Sequence, residues 1–202
     1  MYSMILDLLK KRKSIRNFAE KDVPDEVINY ILEAGRLSPS GGNGQPWKFG
    51  VITDKELITE IAQIAHNQHW IKKASFLIVL CTNNFDKARG GRNIQKSRFP
   101  NYVKEIDNMD DELYRRLHME EHQTKIPGTH MMMAALEHGV GSTWISLFKV
   151  DELSQLLNLK MPLIASEVIA FGYPAHNEEV TPKKSLNEIV FYNKLGGVLA
   201  GD

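Results

Sequence analysis

Cysteine is nearly absent from these 202 residues. The lone Cys81 excludes an internal disulfide scaffold, and a reducing compartment is the natural reading. Net charge is absent as well, because 25 basic side chains balance 25 acidic ones. A general grip on nucleic acid or an anionic membrane needs net or clustered positive charge, so neither is expected as a partner. The opening MYSMILDLLKKRKS lacks a secretory core with its cleavage site, and no apolar run reaches membrane-spanning length. No internal repeat or low-complexity tract appears, and no break in composition demands a domain boundary. The expectation is a cytoplasmic globular protein with one domain over residues 1–202, its 43% hydrophobic content sufficient for a sizeable core.

What is present reads as an α+β chain. Ile5, Leu6, Leu8 and Leu9 precede Lys10, Lys11 and Arg12, which suits an amphipathic first helix over residues 2–12. Asp25 stands as cap of a second helix, DEVINYILEAGRLS, which ends before Pro39, Gly41 and Gly42. WKFGVIT alternates like a strand, and residues 55–69 form a further helix. The unbroken run Phe76–Cys81 predicts a central strand buried on both faces. A buried helix is expected over Met131–Leu136, with Gly139 as its stop signal. His130 and Met131–Met133 read as core packing, SEVIAFGYP as a third strand, and EIVFYN as a strand in the tail. Residues 83–125 are polar, charged and poor in aliphatics, and Phe99, Tyr102 and Tyr114 favour partial order there.

Four segments carry residues suited to chemistry. Arg12, Lys13, Ser14 and Arg16 combine three cations with a hydroxyl, a set that can hold a phosphate by charge-assisted bonds. The same cations also offset a helix dipole while staying solvated. Pro39-Ser40-Gly41-Gly42-Asn43-Gly44-Gln45 has three glycines that permit close backbone approach to a ligand, yet it also serves as a plain helix-to-strand loop. In Gly139–Ser146, backbone N–H groups can face a planar ligand with Trp144 and Ile145 as apolar surface, or the segment is ordinary packing. Lys183 and Lys184 are a surface pair unless the fold returns them to Arg12.

Taken in order, RKSIRNF, SPSGGNGQPWKF, GVGSTWIS, FGYP and the late PKKSL resemble the flavin-dependent nitroreductase family across the chain except residues 83–125. The resemblance implies a nitroreductase-like α+β fold, with a central mixed, mostly antiparallel sheet flanked by helices in an intertwined homodimer. It implies FMN at the subunit interface, with Arg12, Lys13, Ser14 and Arg16 on its phosphate and ribityl chain and Lys183 and Lys184 completing the grip. Pro39, Ser40, Gly41 and Asn43 match a motif that reaches the flavin of the other subunit. Asn67 falls near a position that in some members bonds the pyrimidine edge, and Trp144, Ile145 and Ser146 correspond to the stretch beside flavin N5. The implied activity passes hydride from NADH or NADPH through flavin N5 to a nitroaromatic, quinone or similar small acceptor in a ping-pong cycle. No side chain acts as a catalytic nucleophile, and residues 83–125 supply the substrate cover. Ser146 replaces an acidic residue found in some members, and Lys-Lys-Ser replaces a pattern that often includes Arg.

Two further motifs point elsewhere. His118-Met119-Glu120-Glu121-His122 fits the inverted zinc-peptidase pattern H-x-x-E-H, but a third ligand is no more than loosely supplied by Glu137 or His138. A charged helix face is the preferred reading, so no metal is expected. Cys81 ends an apolar strand with no basic activator beside it, and reads as an inert thiol. The alternative to an enzyme is a flavin-binding sensor or store with little turnover.

Overall fold

The apolar run at Phe76 does become the centre of the sheet. In the computed structural model, which describes residues 4–83, 92–117, 121–176 and 179–195, β2 (Phe76–Asn83) is buried from Phe76 through Thr82. It pairs with β1 (Trp47–Ile52) on one side and with β4 (Leu163–Gly172) on the other. β3 (Gly141–Ile145) closes the order β1-β2-β4-β3, and every ladder is antiparallel. A parallel pairing occurs as a single bridge, between Ser14 and Ser142. The expected α+β architecture with a predominantly antiparallel sheet is what the chain adopts.

Strand alternation sends Phe76, Ile78, Leu80, Ile169 and Phe171 to one face, where α2 (Asp25–Arg36) and α7 (Glu121–Glu137) cover them. The rings of Phe76 and Phe171 stack there with centroids 4.9 Å apart. Leu77, Val79, Cys81, Val168 and Ala170 face the opposite layer, built from α3 (Lys55–Ile64) and α8 (Val150–Leu156). Gly35 allows α2 to lie against α7, since a Cβ there would stand 2.0 Å from Met131 Cε. Burial of a side chain such as Ile31 or Ile58, both fully enclosed, contributes roughly 1.5–3 kcal/mol.

Several expected boundaries shift for local reasons. The first helix, α1, covers Met4–Lys11. Pro24, not Asp25, occupies the cap of α2; Asp25 lies in the first turn, where its charge complements the helix dipole. The helix begun at Lys55 ends at Ile64, because His66 and Asn67 turn into the left-handed region at φ 56° and 58°. GSTWI, read as a ligand-facing stretch, is the strand β3. α7 starts well before Met131 and carries Pro127 inside it. Gly139, at φ 69°, follows the end of that helix as expected. His130 is exposed rather than core, with Nδ1 2.8 Å from Ser38 Oγ, whereas Met131 and Met132 are buried.

The tail does not form a strand. Ser185 and Glu188 make a reciprocal capping box that starts a short helix, α9 (Leu186–Ile189). The polar excursion is helical where described, as α4 (Arg92–Arg98), α5 (Val103–Asn108) and α6 (Asp111–Leu117). Arg92 organises it: its guanidinium donates to the Ile106 and Met109 carbonyls, pairs with Asp111 at 2.7 Å and lies 4.5 Å over the Tyr114 ring. Of the three aromatics expected to give order, Tyr114 is buried, while Phe99 and Tyr102 are exposed.

Candidate functional site

Residues 14–19 are tied to the ends of β3 and β4. Ile15 N–H donates to the Ser142 carbonyl at 3.0 Å, and the Thr143 hydroxyl donates to the Ile15 carbonyl. Ala19 N–H donates to Tyr173 O at 2.8 Å, and Ala175 N–H to Asn17 O at 3.0 Å. Ile15 and Phe18 point inward and are buried, a fit that depends on two glycines. A Cβ at Gly141 would come within 2.6 Å of Ile15 Cγ1, and one at Gly172 within 2.8 Å of Phe18 Cδ1. Burying Ile15 leaves its neighbours Ser14 and Arg16 on the outside.

There Arg12, Lys13, Ser14 and Arg16 line a pocket of about 370 Å³, closed on its other side by Glu179, Val180, Thr181 and Lys183. The chain thus brings Lys183 back to the Arg12 cluster across some 170 residues of sequence. Four cations face one carboxylate, and Arg16 Cζ also lies 5.8 Å over the Trp70 ring. Two guanidinium forks, two ammonium groups and a hydroxyl make a donor set suited to a phosphate dianion. Lys184 follows Lys183 but does not line the pocket.

The glycine-rich loop lies apart from this pocket. Gln45 N–H donates to Ser40 Oγ at 2.9 Å, Gln45 Nε2 to Asn43 Oδ1 at 3.1 Å, and Gly41 N–H to Gln123 Oε1 at 2.9 Å. Gly42, Asn43 and Gln45 all take positive φ, between 46° and 58°. Pro39, Gly41 and Asn43 are exposed, and so is Asn67. None of these residues lines the basic pocket.

At the end of β3 the side chains divide. Ile145 packs into the core, so only its backbone is available to a ligand, contrary to its expected role as apolar surface. The Trp144 indole is half-buried on the opposite face, and Ser146 is exposed. Both donate to Glu167, which sequence reasoning did not single out: Trp144 Nε1 at 2.7 Å and Ser146 Oγ at 2.6 Å, each to Oε2. The signal was present, since a lone acid inside the apolar run SEVIAF needs a buried partner. Cys81 is buried, and desolvation pushes its thiol up to about 11.

No group of metal-ligating residues occurs among the described residues. His118–Glu120 of the zinc-like motif lie outside them, as do the side chains of Glu121 and His122. No described helix is long and apolar enough to cross a membrane.

Comparison with known proteins fits this geometry. A protein of Archaeoglobus fulgidus, provisionally named an NADH dehydrogenase/NAD(P)H nitroreductase, is 25% identical over 178 residues, spanning 86% of this chain and 87% of the relative. The iodotyrosine deiodinase of Thermotoga neapolitana is 25% identical over 199 residues, with 93% and 96% covered. Among solved structures, the NADPH:FMN oxidoreductase of Vibrio harveyi complexed with NAD+ shares the fold at a TM-score of 0.71 and 22% identity, over 94% of this chain and 77% of that one. The sequence profile of the nitroreductase family matches residues 9–173, from the end of α1 through the last strand, and this chain belongs to that family.

Proposed function

We propose that the protein is an FMN-dependent NAD(P)H oxidoreductase that reduces a nitroaromatic, quinone or similar small acceptor. The observation that carries this reading is the pocket in which Lys183 joins Arg12, Lys13, Ser14 and Arg16. Those residues hold the FMN phosphate, with Lys184 beside them. The backbone at Ile145 and Ser146 meets the ring edge, beside Trp144, and Asn67 takes the pyrimidine side. When bound, FMN supplies the hydride relay between nicotinamide and acceptor. The protein's own part is to bind, orient and shield, and no side chain serves as nucleophile.

The working form in this proposal is a homodimer, with Pro39, Ser40, Gly41 and Asn43 serving the second subunit's site. Its support is apolar exposure at both ends of the chain: Ile5, Leu6 and Leu9 on α1, and Leu186, Ile189, Phe191 and Leu195 in the tail, all at 47% or more. Apolar surface of that extent calls for a partner. Each subunit is one domain over residues 1–202, with residues 83–125 as substrate cover, and its place is the cytoplasm. The names of the relatives span nitroreductase and iodotyrosine deiodinase, so acceptor choice resides in the variable segments rather than in the shared fold.

The test is spectroscopic. Purified protein loaded with FMN is mixed with NADH or NADPH without oxygen, and the flavin band near ~450 nm is followed over seconds, the scale of ordinary turnover. Bleaching followed by recovery on adding a nitroaromatic or quinone is expected. Bound flavin that neither donor bleaches would replace the reductase with a flavin store or sensor.

A further inference from the structure

Glu167 sits in the interior at 1% exposure, in the middle of an apolar strand. Its side chain follows the regular alternation of Ile169 and Phe171 toward α7, and the ladder turns irregular just beyond it. Leu80 pairs with Glu167 and Cys81 with Ala165, so Ser166 is an extra residue on β4. Such a bulge breaks strict alternation, and here both Ser166 and Glu167 turn toward α7. Ser166 Oγ donates to Thr82 Oγ1 at 2.5 Å, and Thr82 bonds the Thr124 hydroxyl on α7 at 2.7 Å. Glu167 Oε1 pairs with Lys125 Nζ on α7 at 3.0 Å, while Oε2 accepts from Trp144 and Ser146. An apolar side chain of similar volume would be about as stable at such a position. Stability alone is therefore a poor account of the acid.

Ser146 has one hydroxyl proton, and it is directed to Glu167. A carboxylate acceptor has no proton to return. On its exposed side, Ser146 Oγ therefore presents lone pairs only. We propose that Glu167 is a positioning residue that makes the Ser146 hydroxyl a one-way acceptor at the ligand-facing end of β3, and thereby favours reduced FMN over oxidised FMN. Reduction adds N–H donors to the flavin ring, and a fixed acceptor discriminates in their favour. This assignment rests on the flavin reading above.

The test is the midpoint potential of bound FMN in the wild type, Glu167→Gln and Ser146→Ala, measured anaerobically against reference dyes. The glutamine amide can donate to Ser146 Oγ and release its proton outward, reversing the polarity. Both variants are expected to lower the potential, by about 30 mV for a tenfold loss of preference for the reduced form in a two-electron couple. A merely electrostatic role predicts the opposite sign for Glu167→Gln, because removing a buried negative charge and freeing Lys125 favours the reduced, more anionic ring. A raised or unmoved potential in Glu167→Gln, or an unmoved one in Ser146→Ala, overturns the assignment. Ser146→Ala leaves Trp144 and Lys125 on the carboxylate, so it decides alone where Glu167→Gln does not fold. Wild-type protein that takes up no FMN overturns the flavin reading itself, whereas bound FMN with an unmoved potential overturns the positioning role only.

Discussion

Gly128 on α7 lies directly against the indole of Trp144 on β3. A methyl group at Gly128 would stand 2.7 Å from Trp144 Cη2, 2.8 Å from Cζ3 and 2.7 Å from Leu80 Cδ1. Helix propensity favours alanine over glycine by about 1 kcal/mol. Overpacking costs about 1–3 kcal/mol, and Leu80 is fully enclosed, with no room to retreat. Gly128→Ala is therefore expected to destabilise, by up to about 2 kcal/mol net of the propensity gain. Urea denaturation reads the difference, and a stabilised variant would show that the indole can shift freely.

Arg16 lines the basic pocket from an exposed position beside buried Ile15. Arg16→Ala should weaken FMN retention by about one to two powers of ten, the equivalent of one charge-assisted bond of roughly 1.5–3 kcal/mol. Arg16→Lys should recover part of it, because the charge remains and the fork is lost. Dialysis followed by flavin fluorescence measures retention. Wild-type retention in Arg16→Ala would remove this residue from the phosphate site.

Cys81 is buried in β2, and its thiol is pushed up to about 11 against an ordinary value near 9, chiefly by desolvation. Near pH 8 the thiolate fraction is then about a hundredfold below that of an ordinary cysteine, and reactivity follows thiolate. The folded protein should leave a thiol reagent unconsumed at pH 8 and react stoichiometrically in denaturant. Raising the pH toward the shifted value should accelerate labelling of the native protein. Rapid native labelling at pH 8 would contradict this burial.

Arg92 joins α4 to α5 and α6 through two carbonyls, Asp111 and the Tyr114 ring. Arg92→Ala should loosen residues 92–117 without touching the sheet. Hydrogen exchange should rise about tenfold or more in that segment, for a loss of roughly 1.5–3 kcal/mol in charged hydrogen bonding, and stay unchanged in β2 and β4. If the segment covers the substrate, the acceptor range should widen while FMN retention holds. Equal acceleration in β2 would show that Arg92 supports the whole fold.

The strongest sequence signals were the ones with a single physical reading. Phe76–Cys81 is too apolar for any place but the sheet centre, and Asp25–Arg36 buries Val27, Ile28 and Ile31 at helical spacing. Weaker signals misled where two local rules competed. EIVFYN has strand-like composition, yet S-L-N-E just upstream is a capping box, and the box decided the conformation of Leu186–Ile189. GSTWI is short and begins with small residues, so its pairing with β4 was hidden. Motif order brought Arg12–Arg16 and Lys183 into one hypothesis, but their convergence on a shared pocket needs residues 179–183 to return to residues 12–16, which is a tertiary fact. Glu167 was legible as a lone acid in an apolar run, but its partners Lys125, Trp144 and Ser146 come together only in the fold.

The pocket at Arg12–Arg16 is built from two segments at opposite ends of the chain, residues 12–16 and 179–183. During synthesis the first of these leaves the ribosome early and waits as an open, positively charged ledge. Its far wall arrives only after the sheet and both helical layers have been translated. A ligand that needs both walls therefore binds only after the core is complete, and a chain stalled before residue 179 would lack the far wall of the site.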